Sequence, residues 1–183
     1  PRAPRERFLH IIDEECDRLA VLVTDVHDLS RIEGGECTLR LAPVALAELG
    51  REALERARPE TERRGVEVQL EIESDTRVEV DSELMRRVIA NLVANAAQFS
   101  PEGGAVRVVL GVRADEWVCS VTDSGPPLPA EDLAVVLEGF YRARRQAPAG
   151  SLAPGAEGTR LGLAISRSIV HLHGGRMWAE QPD

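Results

Sequence analysis

An apolar residue recurs at alternating steps of three and four near the start of this 183-residue sequence. Residues 5–33 have a helical pattern, and the stripe within them consists of Leu9, Ile12, Cys16, Leu19, Val23 and Val26. Such a stripe is typical of a coiled coil or a helical bundle. Phe8, Ile11, Leu22 and Leu29 widen this apolar face. A single helix cannot bury it, so we expect a partner helix from an absent part of the protein or from a second chain.

Composition excludes several classes of protein. With 43% apolar and 29% charged residues, the chain is an ordinary globular protein and not a disordered one. Its net charge of −9 argues against a general nucleic-acid binder. No apolar run approaches the ~18 residues of a membrane-spanning helix. The three cysteines have no short spacing, which predicts a reducing compartment without a disulfide framework or a zinc site.

Beyond the glycine pair at 34–35, the pattern changes to mixed helices and strands. Strands are predicted at residues 38–44, 66–72 and 78–80, as a hairpin at 105–112 and 117–122, and beginning again at 176–179. Helices are predicted at residues 46–58, from a cap at Asp81 or Ser82 to about 99, and at 159–172. Residues 143–158 are predicted to be a mobile loop. We expect an α/β two-layer sandwich, with a mixed sheet and one helical layer, preceded by a long helix.

Two asparagines lie four residues apart on the helix predicted to end near residue 99. Asn91 and Asn95 therefore project from the same side of it, next to apolar neighbours that face the sheet. Amide oxygens are hard ligands that suit Mg²⁺ when the ion keeps water and phosphate oxygens. The alternative is a pair of surface or capping amides.

Two glycine-containing segments are further candidates. Asp123 stands at a strand end, two residues before Gly125, where a carboxylate can accept a hydrogen bond from an exocyclic amine. The alternative there is an ordinary Asp–Gly turn. Residues 158–163 open a helix, and free amides at a helix N-terminus suit phosphate. Many loop-to-helix junctions have a similar sequence.

In this order, the segments resemble the nucleotide-binding boxes of sensor histidine kinases. Residues 91–104 resemble the N box, residues 123–125 the first glycine box, residues 137–142 the F box and residues 158–175 the second glycine box with its helix. Residues 18–35 resemble the end of the second helix of the dimerisation hairpin. The resemblance covers nearly the whole chain and implies an ATP-binding sandwich of the Bergerat type.

The resemblance implies a role for each matching residue. Asp123 would bond the adenine amine, Phe99 would lie along the base, and Arg142 would reach the terminal phosphate. Asn91 and Asn95 would handle Mg²⁺ and phosphates, and residues 143–157 would form a lid over the nucleotide. The implied ATP-binding set is Asn91, Asn95, Gln98, Phe99, Asp123, Gly125, Arg142, Gly158, Thr159, Arg160, Leu161, Gly162 and Leu163. The implied reaction is transfer of the γ-phosphoryl group to a histidine and then to a response-regulator aspartate.

Three positions depart from the family pattern. Gln98 replaces a common basic residue, Pro127 replaces a glycine of the first glycine box, and Arg160 replaces a glycine of the second. These changes predict weakened nucleotide binding. A degenerate, non-catalytic module of the same fold therefore remains an alternative. A protein serine kinase of the anti-sigma-factor type is a third, which the long N-terminal helix disfavours.

The resemblance also predicts domains and partners. Residues 1–36 would be the second dimerisation helix, with the first helix absent, and residues 37–183 the catalytic domain, with its final strand missing. The phosphoacceptor would lie on the absent helix, so we expect no autophosphorylation of this fragment; His27 mimics the acceptor motif but is interpreted as a solvated residue. Homodimerisation is expected through residues 5–33, with a response-regulator receiver domain as partner. The fragment is expected in the cytoplasm, and membrane anchoring of the full-length protein stays open.

Overall fold

The computed structural model describes residues 2–129, 133, 136, 137 and 162–181, with α1 side chains described at residues 9, 12, 15, 16 and 19–32. Its first element, α1, is one helix over Arg2–Glu33. This helix confirms the prediction for residues 5–33. It ends at the predicted glycine pair, where Gly35 has a φ of +72° and its amide donates to the Ile32 carbonyl at 3.2 Å.

Eight further helices and strands lie within the described residues. They are β1 (Ala42–Ala45), α2 (Leu46–Arg64), β2 (Glu67–Ile72), β3 (Arg77–Val80), α3 (Ser82–Phe99), β4 (Ala105–Arg113), β5 (Glu116–Asp123) and α4 (Gly162–Leu172). The main sheet has the order β2-β4-β5, with β2 parallel and β5 antiparallel to β4. Strands β1 and β3 form a separate antiparallel pair. The helix order and the mixed sheet therefore agree with the predicted fold class.

The alternation of residues along β4 shows how the sheet meets the helices. Val106, Val108 and Leu110 are fully buried and belong to the apolar core that the helices cover. Between them, Arg107 points to the opposite face, where it forms an exposed ion pair with Glu71 at 2.5 Å. Helix α3 packs between α2 and α4 over this core. The result confirms a two-layer α/β sandwich with one helical layer.

Two predicted strands are wrong in extent. The strand predicted at residues 38–44 is limited to Ala42–Ala45, because its partner β3 offers only the four residues Arg77–Val80 for pairing. Within the described part of the C-terminal segment, residues 175–181 form no strand. Side chains hold that segment instead: Arg176 pairs with Glu116 on β5 at 2.8 Å.

Helix α2 extends beyond its predicted end at residue 58. Pro59 lies inside the helix, which continues to Arg64. The proline is exposed, while Ala57 and Thr61 on either side of it are buried. Burial of the continuing apolar face therefore outweighs the one hydrogen bond that a proline cannot donate.

The start of α3 is joined to the end of α4. Asp81 is the N-cap of α3, as predicted, and its carboxylate accepts from the Leu84 amide at 3.2 Å. The backbone N–H of Asp81 donates to Nε2 of His173 at 3.1 Å, and Nδ1 of the same ring lies 2.8 Å from the Ile169 carbonyl oxygen. Nδ1 therefore carries the proton of the neutral ring. His173 therefore links the end of α4 to the N-terminus of α3.

Cys119 is a packing residue of the sheet. The described structure contains free thiols at Cys16, Cys37 and Cys119. Cys119 packs against the core from β5, and burial raises the pKa of its thiol to about 12. The thiol therefore stays protonated at neutral pH, in the form that does not act as a nucleophile.

The His173 bridge predicts a difference in stability between two neighbouring histidines. His173→Leu removes both ring hydrogen bonds and leaves the Asp81 N–H without its acceptor, which should lower the free energy of unfolding by roughly 1–3 kcal/mol. His171→Leu, at an exposed position of the same helix, should change it by less than roughly 0.5 kcal/mol. Urea unfolding measures both variants, and equal effects would contradict the bridging role.

Candidate functional site

The predicted site residues that the structure describes come from three places around the second half of α3. They are α3 itself, the turn that follows β5, and the first turn of α4. These segments are far apart in sequence, and the packing of α3 against β5 and α4 brings them together. The site is therefore a product of the tertiary fold and not of one local motif.

Asn91 joins α3 to the first turn of α4. It is half-buried, and its side-chain Nδ2 donates to the Gly162 carbonyl oxygen at 3.4 Å and lies 3.5 Å from Oγ of Ser166. Because Nδ2 makes both contacts, Oδ1 is turned to the other side of the planar amide. The amide oxygen is thus oriented by α4.

The other predicted residues of α3 lie farther along the helix. Asn95 is half-buried one turn beyond Asn91, on the same side of the helix. Gln98 is also half-buried, and Phe99, the last residue of α3, is 48% exposed. An aromatic side chain with half of its surface exposed at a helix end is a suitable contact for a flat ligand.

The turn after β5 is built around Gly125. Asp123, the last residue of β5, accepts the Gly125 N–H through Oδ1 at 2.7 Å. A Cβ on Gly125 would lie 2.7 Å from the Phe99 carbonyl oxygen and 2.5 Å from Oδ1 of Asp123. Any side chain there would push the turn away from α3. Glycine at position 125 therefore permits the close approach of this turn to the backbone of Phe99.

Only part of the second glycine box is described. Gly162 and Leu163 lie in the first turn of α4, and both are half-buried. The predicted residues Gly158, Thr159, Arg160, Leu161 and Arg142 lie outside the described residues, as do the predicted lid at 143–157 and the aromatic pair of the F box. Leu137, at the start of the F box, is buried.

Ser166 is a site residue that the sequence prediction missed. It is fully buried, and its Oγ donates to the Gly162 carbonyl oxygen at 2.8 Å while facing Nδ2 of Asn91. In the sequence it is one small residue within an apolar helix, where a serine commonly bonds the carbonyl four residues earlier. The one signal in the sequence that could have indicated its burial was its position three residues before Ile169, which is buried.

Three further observations concern His27, metal-ligating groups and membrane-spanning helices. His27 is 68% exposed on α1, with Nδ1 3.8 Å from Oδ1 of Asp28, which confirms its interpretation as a solvated residue. Among the described residues, no group of three or more His, Cys, Asp or Glu side chains is arranged to hold a metal ion. No helix in the described part of the chain is both long and apolar enough to cross a membrane.

The comparisons with known proteins agree on one family. Residues 80–183 match the family of histidine kinase-, DNA gyrase B-, and HSP90-like ATPases. The alginate biosynthesis sensor protein KinB of Pseudomonas aeruginosa is 32% identical over 179 residues, which is 97% of this chain and 29% of KinB. The chain thus spans less than a third of this relative's length.

Solved structures agree with the sequence comparison. Histidine kinase ThkA in complex with response regulator protein TrrA matches with a TM-score of 0.73 and 28% identity, covering 96% of this chain and 47% of that one. Full-length ShkA in complex with AMPPNP matches with a TM-score of 0.72 and 27% identity, covering 88% of this chain and 32% of that one.

The matched family begins at residue 80, at the end of β3, and so includes α3, the turn after β5 and α4. Its members are ATPases, and among the proteins described above KinB is a sensor protein and ThkA a histidine kinase. The chain therefore belongs to the histidine kinase-, DNA gyrase B- and HSP90-like ATPase family, as a catalytic ATP-binding domain of the sensor histidine kinase type.

Proposed function

We propose that this chain is the part of a sensor histidine kinase that binds ATP and presents its γ-phosphoryl group to a histidine on a dimerisation helix, for relay to a response-regulator aspartate. The convergence of Asn91, Asp123 and Gly162 around α3 carries the proposal, because the N box and both glycine boxes of the family pattern then contribute to one site. Residues 37–183 are the proposed catalytic domain, and residues 1–36 the proposed second dimerisation helix.

Asp123 and Phe99 form the proposed adenine end of the site. Oδ1 of Asp123 already accepts the Gly125 amide, which holds the carboxylate in one orientation. Its second oxygen can then accept from the exocyclic amine of the base. Phe99 lies next to this turn, with half of its surface available to cover the base.

Asn91 and Asn95 form the proposed Mg²⁺ end. Amide oxygens fit this ion, and the contacts of Asn91 through Nδ2 direct its oxygen away from α4. The amides supply only part of a coordination shell, so phosphate oxygens and water would complete it. Bound Mg²⁺ would neutralise charge on the phosphates, while the chain's own residues hold the nucleotide in one orientation.

The remaining predicted contacts belong to the phosphates. Gly162 and Leu163 stand in the first turn of α4, where backbone N–H groups favour anions. Residues 158–161 precede this turn and extend the proposed phosphate cradle. Arg142 is proposed to reach the terminal phosphate.

A non-catalytic module of the same fold is the second candidate. Its support is the chemistry at three positions: Gln98 brings no charge to the phosphates, Pro127 has no backbone N–H, and Arg160 adds bulk where glycine is common. Such a module would transmit movement of α1 without turnover.

The proposed partners follow from α1 and from the structural neighbours. All six residues of its stripe are exposed: Leu9, Ile12, Cys16, Leu19, Val23 and Val26. Burying one such side chain contributes roughly 1.5–3 kcal/mol, so a second copy of the helix is the proposed occupant of this face. ThkA was solved with a response regulator, and a receiver domain is the proposed downstream partner here.

The adenine contact is tested by removing its charge. Asp123→Asn weakens the acceptor for an exocyclic amine and should lower Mg·ATP affinity roughly 10–100-fold, as expected for a hydrogen bond to a charged group. Asp115→Asn, in the exposed turn between β4 and β5, is the matched control and should bind as the parent does. Calorimetric titration compares the three proteins.

The parent's own titration separates the two candidates. Parent binding that Asp123→Asn weakens supports the ATP site. A parent that does not bind Mg·ATP supports the degenerate module, and tight binding that Asp123→Asn leaves unchanged would place the nucleotide elsewhere.

The orientation of Asn91 gives a test that depends on the metal. Ser166→Ala removes the hydroxyl next to Nδ2 and should weaken binding of Mg·ATP about fivefold, the value of one ordinary hydrogen bond. Binding of ATP in the presence of a chelator should change much less. Ser168→Ala on the same helix is the control, and an equal loss with and without Mg²⁺ would contradict the orienting role.

A further inference from the structure

Ser124 joins the turn after β5 to the start of β4 by two hydrogen bonds. Its backbone N–H donates to the Ala105 carbonyl oxygen at 3.1 Å, and the Ala105 N–H donates to Oγ of Ser124 at 2.9 Å. In a regular antiparallel pair, two opposed residues exchange two backbone hydrogen bonds. Here the serine hydroxyl accepts the second bond in place of a backbone carbonyl. We call these two bonds the Ser124–Ala105 bridge.

A glycine leaves room for the hydroxyl of the bridge. A Cβ on Gly104 would lie 2.5 Å from Oγ of Ser124, so any side chain there would displace the hydroxyl. Gly104 itself is fixed by the backbone around it. Its carbonyl oxygen accepts from the Glu67 amide at 3.0 Å, and its own amide donates to the Pro101 carbonyl oxygen at 2.9 Å. The hydroxyl is therefore bound beside a turn that is tied to β2.

The bridge is the second of two contacts that hold the turn after β5. Helix α3 ends at Phe99 and β4 begins at Ala105, and the turn meets both residues. Gly125 approaches the backbone of Phe99, while Ser124 is bonded to Ala105. Because the two contacts lie at different places, the turn cannot rotate about either one. The backbone next to Asp123 is therefore fixed from two sides.

The sheet directs the Asp123 side chain toward the helical layer. Cys119 and Val121 of β5 pack against the core, and Asp123 continues the same two-residue alternation. It stands opposite Val106, which is fully buried. Because Oδ1 accepts the Gly125 N–H, the direction of the second carboxylate oxygen depends on the shape of the turn.

The exposure of the bridge separates its effect on recognition from its effect on stability. Ser124 and Asp123 are both exposed, so water can replace the hydroxyl when it is removed. The fold then loses little. The carboxylate, in contrast, loses a constraint on its direction, and a binding group that is held in place by its neighbours binds better than a mobile one.

We propose that Ser124 is a positioning residue that sets the preference of the site for an aminopurine. Through the bridge it holds the turn so that the free oxygen of Asp123 meets the exocyclic amine of the base. This inference rests on the proposed function, because it assumes that Asp123 accepts from adenine.

The role is tested by calorimetric titration of this chain with two nucleotides in the presence of Mg²⁺. They are ATP and purine riboside triphosphate, which lacks only the exocyclic amine. The parent should bind ATP at least roughly tenfold more tightly. Ser124→Ala should reduce that ratio about fivefold by weakening ATP alone, and Ser124→Thr, which keeps the hydroxyl, should restore it. Ser120→Ala, at an exposed position of β5, is the control.

An equal loss of affinity for both nucleotides in Ser124→Ala, or an unchanged ratio, would overturn the positioning role. Hydrogen exchange of the Ala105 amide reports the bridge itself without nucleotide. It should become at least roughly tenfold faster in Ser124→Ala and stay unchanged in Ser120→Ala, and no change in Ser124→Ala would overturn the bridge. If the parent binds neither nucleotide or does not distinguish them, the proposed adenine contact fails and the positioning role with it, while exchange still decides the bridge.

Discussion

The packing of α3 is the constraint on which the rest of the structure depends. One side of this helix is sealed in the core: Ile89, Val93 and Ala97 are fully buried. Asn91 and Asn95 lie beside that side and remain half-buried. Because a shift of one residue turns the helix by about 100°, any rotation would carry an amide into the core, where a polar group without a partner costs roughly 2–7 kcal/mol. The core therefore sets the direction of both amides.

The two ends of α3 are used differently. At its start, the Asp81 carboxylate also accepts from the Arg40 amide at 3.0 Å, so the segment after α1, the helix itself and the end of α4 meet at one residue. At its other end, Phe99 is exposed and close to Gly125. The start of α3 is thus fixed by hydrogen bonds, while its last residue is exposed. A ligand-binding edge requires this combination of a fixed element and an accessible end.

Much of this fold was predictable because its signals are local. The alternation in β2, the cap at Asp81 and the helical spacing of α1 each depend on neighbouring residues, and the strand, the cap and the helix are confirmed; the partner helix that the stripe of α1 implies stays a prediction. The family's boxes pointed to residues of α3 and of the turn after β5 that lie close together, although the lid and residues 158–161 of the second glycine box lie outside the described residues.

The wrong predictions have a common physical cause: each of these elements is determined by contacts with residues far away in the sequence. The length of β1 is limited by its partner strand β3. Helix α2 continues past Pro59 because its apolar face packs on the core. Leu22 and Leu29 widened the apolar face of α1 in the sequence and suggested one broad seam for a second helix. They pack instead against this chain's own sandwich. Asp25, which lies between them in the sequence, pairs with Arg87, 62 residues away.

The central claim is that the second half of α3, the turn after β5 and the start of α4 form one nucleotide site. Nuclear magnetic resonance of the isotope-labelled chain during an ATP titration tests it most directly. The account predicts shifts of the Gly125, Gly162 and Leu163 amides with ATP, and a shift of the Asn91 side-chain amide that depends on Mg²⁺. Shifts confined to the outer face of the sheet around Arg107, or none at these residues at saturating ATP, would contradict it.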